Sequence, residues 1–157
     1  MKQILLTMLL FCAVQVCFAQ KNLVSYEDLD YILHNNINKA DTFFTAKGYT
    51  LIKKDIKKNT RKYALNAGGT YGNINLRTDG KRLYVEIETN DIEQYNLIYN
   101  SISQYVNKES SANDMQAFNV KGLGNIYIMV TDTTPYDPLK RNYDIQIVSD
   151  KSITAYN

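Results

Sequence analysis

Residues 73–89 read NINLRTDGKRLYVEIET, and they decide the fold class. Asp79-Gly80 stands between two alternating runs, Asn73 to Thr78 and Lys81 to Thr89. A two-residue Asp-Gly step between such runs is a strong hairpin signal. Ile74 and Leu76 on the first run, and Leu83, Val85 and Ile87 on the second, recur every other residue. That period gives one buried face and one wet face, as in an antiparallel sheet covered on a single side.

The covering layer is predicted on either side of this hairpin. Over Leu23 to Lys47, Ser25 and Asp28 have the spacing of a capping box, and Val24 and Leu29 that of a hydrophobic staple. Leu29, Leu33, Ile37, Ala40 and Phe44 then follow at helical spacing, widened by Ile32 and Phe43, and Gly48 stops the helix. A second helix is predicted from Asn90 or Asp91, with Ile92, Tyr95, Ile98, Tyr99, Ile102, Tyr105 and Val106 as its apolar stripe. Strands are predicted at Tyr49 to Ile56 and Arg61 to Ala67, with Gly68, Gly69 and Gly72 as a flexible break after them. Gln116 to Lys121, Asn125 to Thr131 and Asn142 to Ser149 are predicted strands, the last two joined by an irregular stretch with Pro135 and Pro138. The expected fold is α+β, order α-β4-α-β3. One antiparallel sheet of about six to seven strands carries two helices on one face, a two-layer sandwich. Each half pairs a helix with strands, which suggests a pseudo-duplication of layout within a single domain, 20–157, although the residues of the halves do not align.

Residues 1–19, MKQILLTMLLFCAVQVCFA, have the pattern of a cleaved signal peptide. Lys2 is the charged n-region, Ile4 to Val14 the apolar h-region, and Ala19 the small residue before the cut. A retained anchor ranks second, because a span needs about 20 mostly apolar residues and Gln15 interrupts this one. The lipoprotein pattern fails, since Phe11 and Val16 precede the two cysteines. A bacterial periplasmic or secreted location is expected. No stable membrane insertion is expected after cleavage.

Both cysteines, Cys12 and Cys17, leave with that segment. The remainder has no thiol chemistry and no disulfide, and it must be held by an ordinary core. The whole chain carries a formal charge of +2, one unit of it from Lys2, which argues against global capture of nucleic acid.

No motif gives a chemical activity away. His34 is the single histidine, read as a structural or surface residue in mid-helix. Glu27, Asp28 and Asp30 complement a helix N-terminus. Asp132 and Asp137 lack calcium-loop spacing. The runs at Gly68–Gly72 and Gly122–Asn125 lack a following helix and lysine, and are read as turns rather than phosphate cradles. Glu86 and Glu88 share a strand face, read first as a solvated face and second as an acid pair. Lys53, Lys54, Lys57, Lys58, Arg61 and Lys62 form a basic hairpin around Asp55, read first as a solubility device and second as a steering patch for an acidic partner. No catalytic residue, metal site or cofactor is expected.

Tyrosine is in excess, with 13 copies and no tryptophan. Tyr95, Tyr99 and Tyr105 are expected in the core, and Tyr63 beside Leu65 is expected buried. Tyr84 and Tyr127 fall on the wet phase of their strands. Exposed strand tyrosines give a recognition surface large contact area at low entropic cost, or equally stabilise the sheet by cross-strand aromatic packing.

The Phe-Ala-Gln end of the leader, Lys47-Gly48-Tyr49, and Val85 to Asp91 leading into Tyr95-Asn96 resemble small exported, uncharacterised α+β proteins of Bacteroidetes-type bacteria. The resemblance implies export and fold, and carries no catalytic residue across. The functional expectation is a non-enzymatic exported protein that binds a protein partner through the open sheet face, as an inhibitor or immunity protein does. Tyr84, Glu86, Glu88, Tyr127 and Met129 are its candidate binding residues. A periplasmic small-ligand or cell-envelope glycan binder ranks second, and a carboxylate-based hydrolase last.

Overall fold

The computed structural model describes residues 22–80, 82–111, 114–133 and 140–149. The expected signal peptide, Asp137 and the two prolines lie outside the described residues. The described chain runs α1 (Tyr26–Leu33), α2 (Ile37–Ala46), β1 (Thr50–Asp55), β2 (Thr60–Ala67), β3 (Thr70–Thr78) and β4 (Leu83–Thr89). It continues as α3 (Ile92–Ile102), a 3-10 turn (Ser103–Tyr105), β5 (Met115–Val120), β6 (Gly124–Asp132) and β7 (Arg141–Ser149). All seven strands form one antiparallel sheet in the order β1-β2-β3-β4-β7-β6-β5. After β4 the chain passes through α3, enters the far edge as β5, and returns through β6 and β7 to pair beside β4.

The first helix differs from expectation. It is two helices, broken at His34–Asn36. Asn36 explains the break: its backbone is extended, and its side chain accepts hydrogen bonds from the Asn38 and Lys39 amides, starting a new helix. Asn35 donates its side-chain amide to the Tyr31 carbonyl, closing the end of α1. The apolar stripe survives the break, so Leu29, Leu33, Ile37, Ala40 and Phe44 are all buried. The capping box at Ser25 and Asp28 forms as the spacing predicts.

Two further readings are corrected. Gly72 is no part of a flexible break but lies within β3, beneath the Tyr49 ring. Only Gly68-Gly69 turns there, with φ of 58° and 85°, the pair of left-handed residues a tight hairpin needs. In α3, Ile92 is 56% exposed, and Tyr105 and Val106 are also exposed because the helix ends at Ile102. Gln94 takes the buried place, and Tyr95 and Tyr99 lie at the core's margin.

One core cluster joins α1, α2 and α3 to one face of the sheet, through Phe44, Tyr63, Ile87, Ile98, Ile126 and Ile145 among others. Tyr63 is fully buried, as expected. Asp41 ties α2 to the β1–β2 hairpin on this side. It accepts from Lys54 Nζ at 2.8 Å and from the Tyr63 hydroxyl, and Arg61 Nε stands 3.3 Å away, ion-paired but without hydrogen-bond geometry.

Candidate functional site: the open face of the sheet

Register fixes which residues share the face opposite the helices. Along β4 the buried and half-buried residues alternate, so Tyr84, Glu86 and Glu88 point away from the core. Tyr84 is opposite Val148 of β7. Glu86 is opposite Gln146, which is opposite Tyr127 of β6. Glu88 is opposite Asp144, which is opposite Met129. The five candidate binding residues therefore form one patch across β4, β7 and β6. Two strand spacings place Glu86 and Tyr127 roughly 10 Å apart.

Across β3 the same face continues with Asn73, Asn75 and Arg77, opposite Glu88, Glu86 and Tyr84. Arg77 lies over the Tyr84 ring, its guanidinium carbon 4.7 Å from the centroid, and the Tyr84 hydroxyl donates to Asp79 Oδ2 at 3.2 Å. Asn75 Nδ2 donates to Glu86 Oε2 at 2.6 Å. These contacts hold Tyr84, Arg77 and Glu86 in fixed orientations. Beyond β3 the face ends in Lys62 of β2, opposite Asn75, and Lys53 of β1, opposite Lys62.

At this end the face is dished into a depression of about 400 Å³. Arg61, ion-paired with Asp41, borders it, and Lys53, Lys58, Lys62 and Arg77 supply its other cations, with Asp55 and Glu86 as acids and Tyr84 and Asn75 on the wall. No ion pair joins any of these four cations to a carboxylate among the described residues. Asp55 is occupied instead, accepting from the Lys58 amide at 3.0 Å.

The middle of the face is acidic. Burial is the first influence on Asp144 and raises its pKa; the charge of Glu86 raises it further, and a hydrogen bond from Gln146 works against both. One Asp144 oxygen accepts that bond at 2.8 Å, and the other is buried without a partner among the described residues. The far part, over β6 and β5, is uncharged, with Tyr127, Met129, Asn125 and Asn119. The open face thus passes from cationic through anionic to neutral and aromatic.

The remaining motifs take structural places. His34 closes α1 and is exposed, its Nδ1 at 2.8 Å from the Asp30 carbonyl. Asp28 belongs to the capping box and Glu27 accepts from the Ser25 hydroxyl. Asp132 accepts from Arg141 at 2.8 Å across β6 and β7. Gly122 and Gly124 lie in or beside the β5–β6 turn with positive φ. Among the described residues, no three His, Cys, Asp or Glu side chains are grouped to hold a metal ion. No described helix is long and apolar enough to cross a membrane.

The pattern of residue types does not single out Arg77 or Asn75. The signal was present, since the hairpin register set by Asp79-Gly80 places Arg77 directly opposite Tyr84. For Lys53 and Lys62 the sequence leaves a solubility device ahead of a steering patch, because it does not reveal that they border the same concavity. Comparison with protein-family models, curated proteins and solved structures finds no match to this chain.

Proposed function

We propose that this chain is an exported, non-enzymatic binding protein that recognises a protein partner through the open face of its sheet. An inhibitor or immunity role, with an exported toxin or hydrolase as partner, is the concrete form of this reading. The observation that carries it is the patch formed by Tyr84, Glu86, Glu88, Tyr127 and Met129 across three adjacent central strands. It combines aromatic and thioether contact area with fixed charge, the composition of recognition surfaces. Charge that changes sign across the face selects a partner with the complementary pattern and disfavours others.

The test is the double variant Tyr84→Ala with Tyr127→Ala. Partner capture should be lost, while unfolding free energy stays within about 1–2 kcal/mol of the parent, as for half-exposed strand positions. Capture that survives in the folded double variant rejects the face as the site. A small-ligand or envelope-glycan binder is the second reading. It is favoured by the depression of about 400 Å³, a volume in the range of small-molecule sites. Saturable heat on titrating envelope oligosaccharides, lost in Tyr84→Ala, would support it.

A further inference from the structure

The β1–β2 hairpin carries two pairs of directly opposed like charges. Lys54 faces Arg61, and one position along, on the other side of the sheet, Lys53 faces Lys62. Like charges directly across a strand pair are destabilising. On the helix side the repulsion is answered within the chain. Asp41 reaches both cations, at 2.8 Å from Lys54 and 3.3 Å from Arg61. On the open side no carboxylate answers Lys53 and Lys62 among the described residues. The two acids on the same depression are engaged elsewhere, Asp55 with the Lys58 amide and Glu86 with Asn75. Arg77 adds a further cation, held against Tyr84. The open side therefore has the two-cation arrangement of the helix side without its Asp41.

Resting on the open-face reading above, we propose that the depression is a carboxylate-binding subsite, which takes an Asp or Glu side chain from an acidic loop of the protein partner. That side chain stands between Lys53, Lys62 and Arg77 as Asp41 stands between Lys54 and Arg61. Charge complementarity selects this occupant over a polyanion. A phosphate-rich polymer lying across the sheet meets Glu86, Glu88 and Asp144 on the next two strands. A single protein carboxylate with a basic neighbour satisfies both zones. The depression, at about 400 Å³, has room for such a side chain and its loop backbone.

The experiment is amide-detected NMR titration of the chain at constant ionic strength. The probes are the peptide acetyl-Gly-Asp-Gly-Lys-amide, its Asn-for-Asp counterpart, and inorganic phosphate. The Asp peptide should shift the amides of Lys53, Lys62 and Arg77 saturably, and the Asn peptide should not. Lys62→Glu should weaken the Asp peptide by roughly ten-fold or more, because a like charge then faces the carboxylate. The same variant should raise the melting temperature of the free protein, since Lys53 gains an opposed acid. Equal shifts from both peptides, tighter saturation by phosphate, no saturable shift, or a lowered melting temperature would each overturn the proposal. Lys62→Gln, which removes the charge and stays polar, serves if the reversal does not fold. Partner capture separates the two claims. Capture that depends on Tyr127 without peptide binding removes the subsite alone, whereas peptide binding without such capture removes the partner reading.

Discussion

Gln94 clasps the backbone of Val24 with both ends of its side-chain amide. Its oxygen accepts from the Val24 amide and its nitrogen donates to the Val24 carbonyl, each at 2.8 Å. Both residues are buried, so the segment entering α1 has its polar groups satisfied by a side chain from α3. Gln94→Leu keeps the volume and leaves two buried backbone groups unpaired. It should cost about 2–3 kcal/mol in urea unfolding. Ile92→Ala, on the same helix but exposed, should stay within roughly 0.5 kcal/mol. Equal costs would refute the clasp as a tether of the first helix.

Asp41 makes stability depend on acid. Burial pushes its pKa up, but hydrogen bonds from Lys54 and Tyr63 and the charge of Arg61 outweigh it, so the carboxyl titrates below its ordinary value. A carboxyl depressed by folding stabilises the native state above its unfolded pKa and loses that contribution as pH falls through the folded one. Asp41→Asn should therefore cost about 2–3 kcal/mol near neutral pH, where Arg61 is left buried without its counterion. The gap from the parent should narrow as pH drops below about 4. Melting curves of both proteins across that range check it, and a constant gap would contradict the assignment.

Gly72 is crowded by a neighbour and carries no unusual dihedrals of its own. A Cβ there would stand 3.3 Å from the Tyr49 hydroxyl and 3.5 Å from its ring. Burial, then the nearby charges of Asp91 and Asp28, push the Tyr49 pKa up to about 12. Gly72→Val should displace the ring and cost about 1–3 kcal/mol, as overpacking does. The displaced phenol should then ionise at lower pH in an ultraviolet titration. An unchanged titration would mean that Tyr49 keeps its place.

The sheet was legible because its strands alternate cleanly and one hairpin is marked by Asp79-Gly80. Period two also assigned Tyr84, Glu86, Glu88, Tyr127 and Met129 to the uncovered side, since alternation alone fixes the side of each residue. Strand order was not legible. The pairing of β4 with β7 joins Glu86 to Tyr127 through Gln146, and no local pattern encodes a partner about sixty residues away. Helical spacing misled at both helices. Apolar periodicity continues through Asn35-Asn36, where side-chain bonds close α1 and start α2, and past Ile102, where the backbone tightens into a 3-10 turn. The depression depends on the sheet's shape, which the pattern of residues along single strands does not carry.

The central claim, that the open face binds a protein, is tested most directly by site-specific photo-crosslinking in producing cells. A photoreactive phenylalanine replaces Tyr127 or Met129 on the open face, or Tyr31, which is exposed on α1. The account predicts one discrete adduct from the two open-face positions, suppressed by Tyr84→Ala, and none from Tyr31. The same adducts from all three positions, or open-face adducts that persist unchanged with Tyr84→Ala, would contradict it.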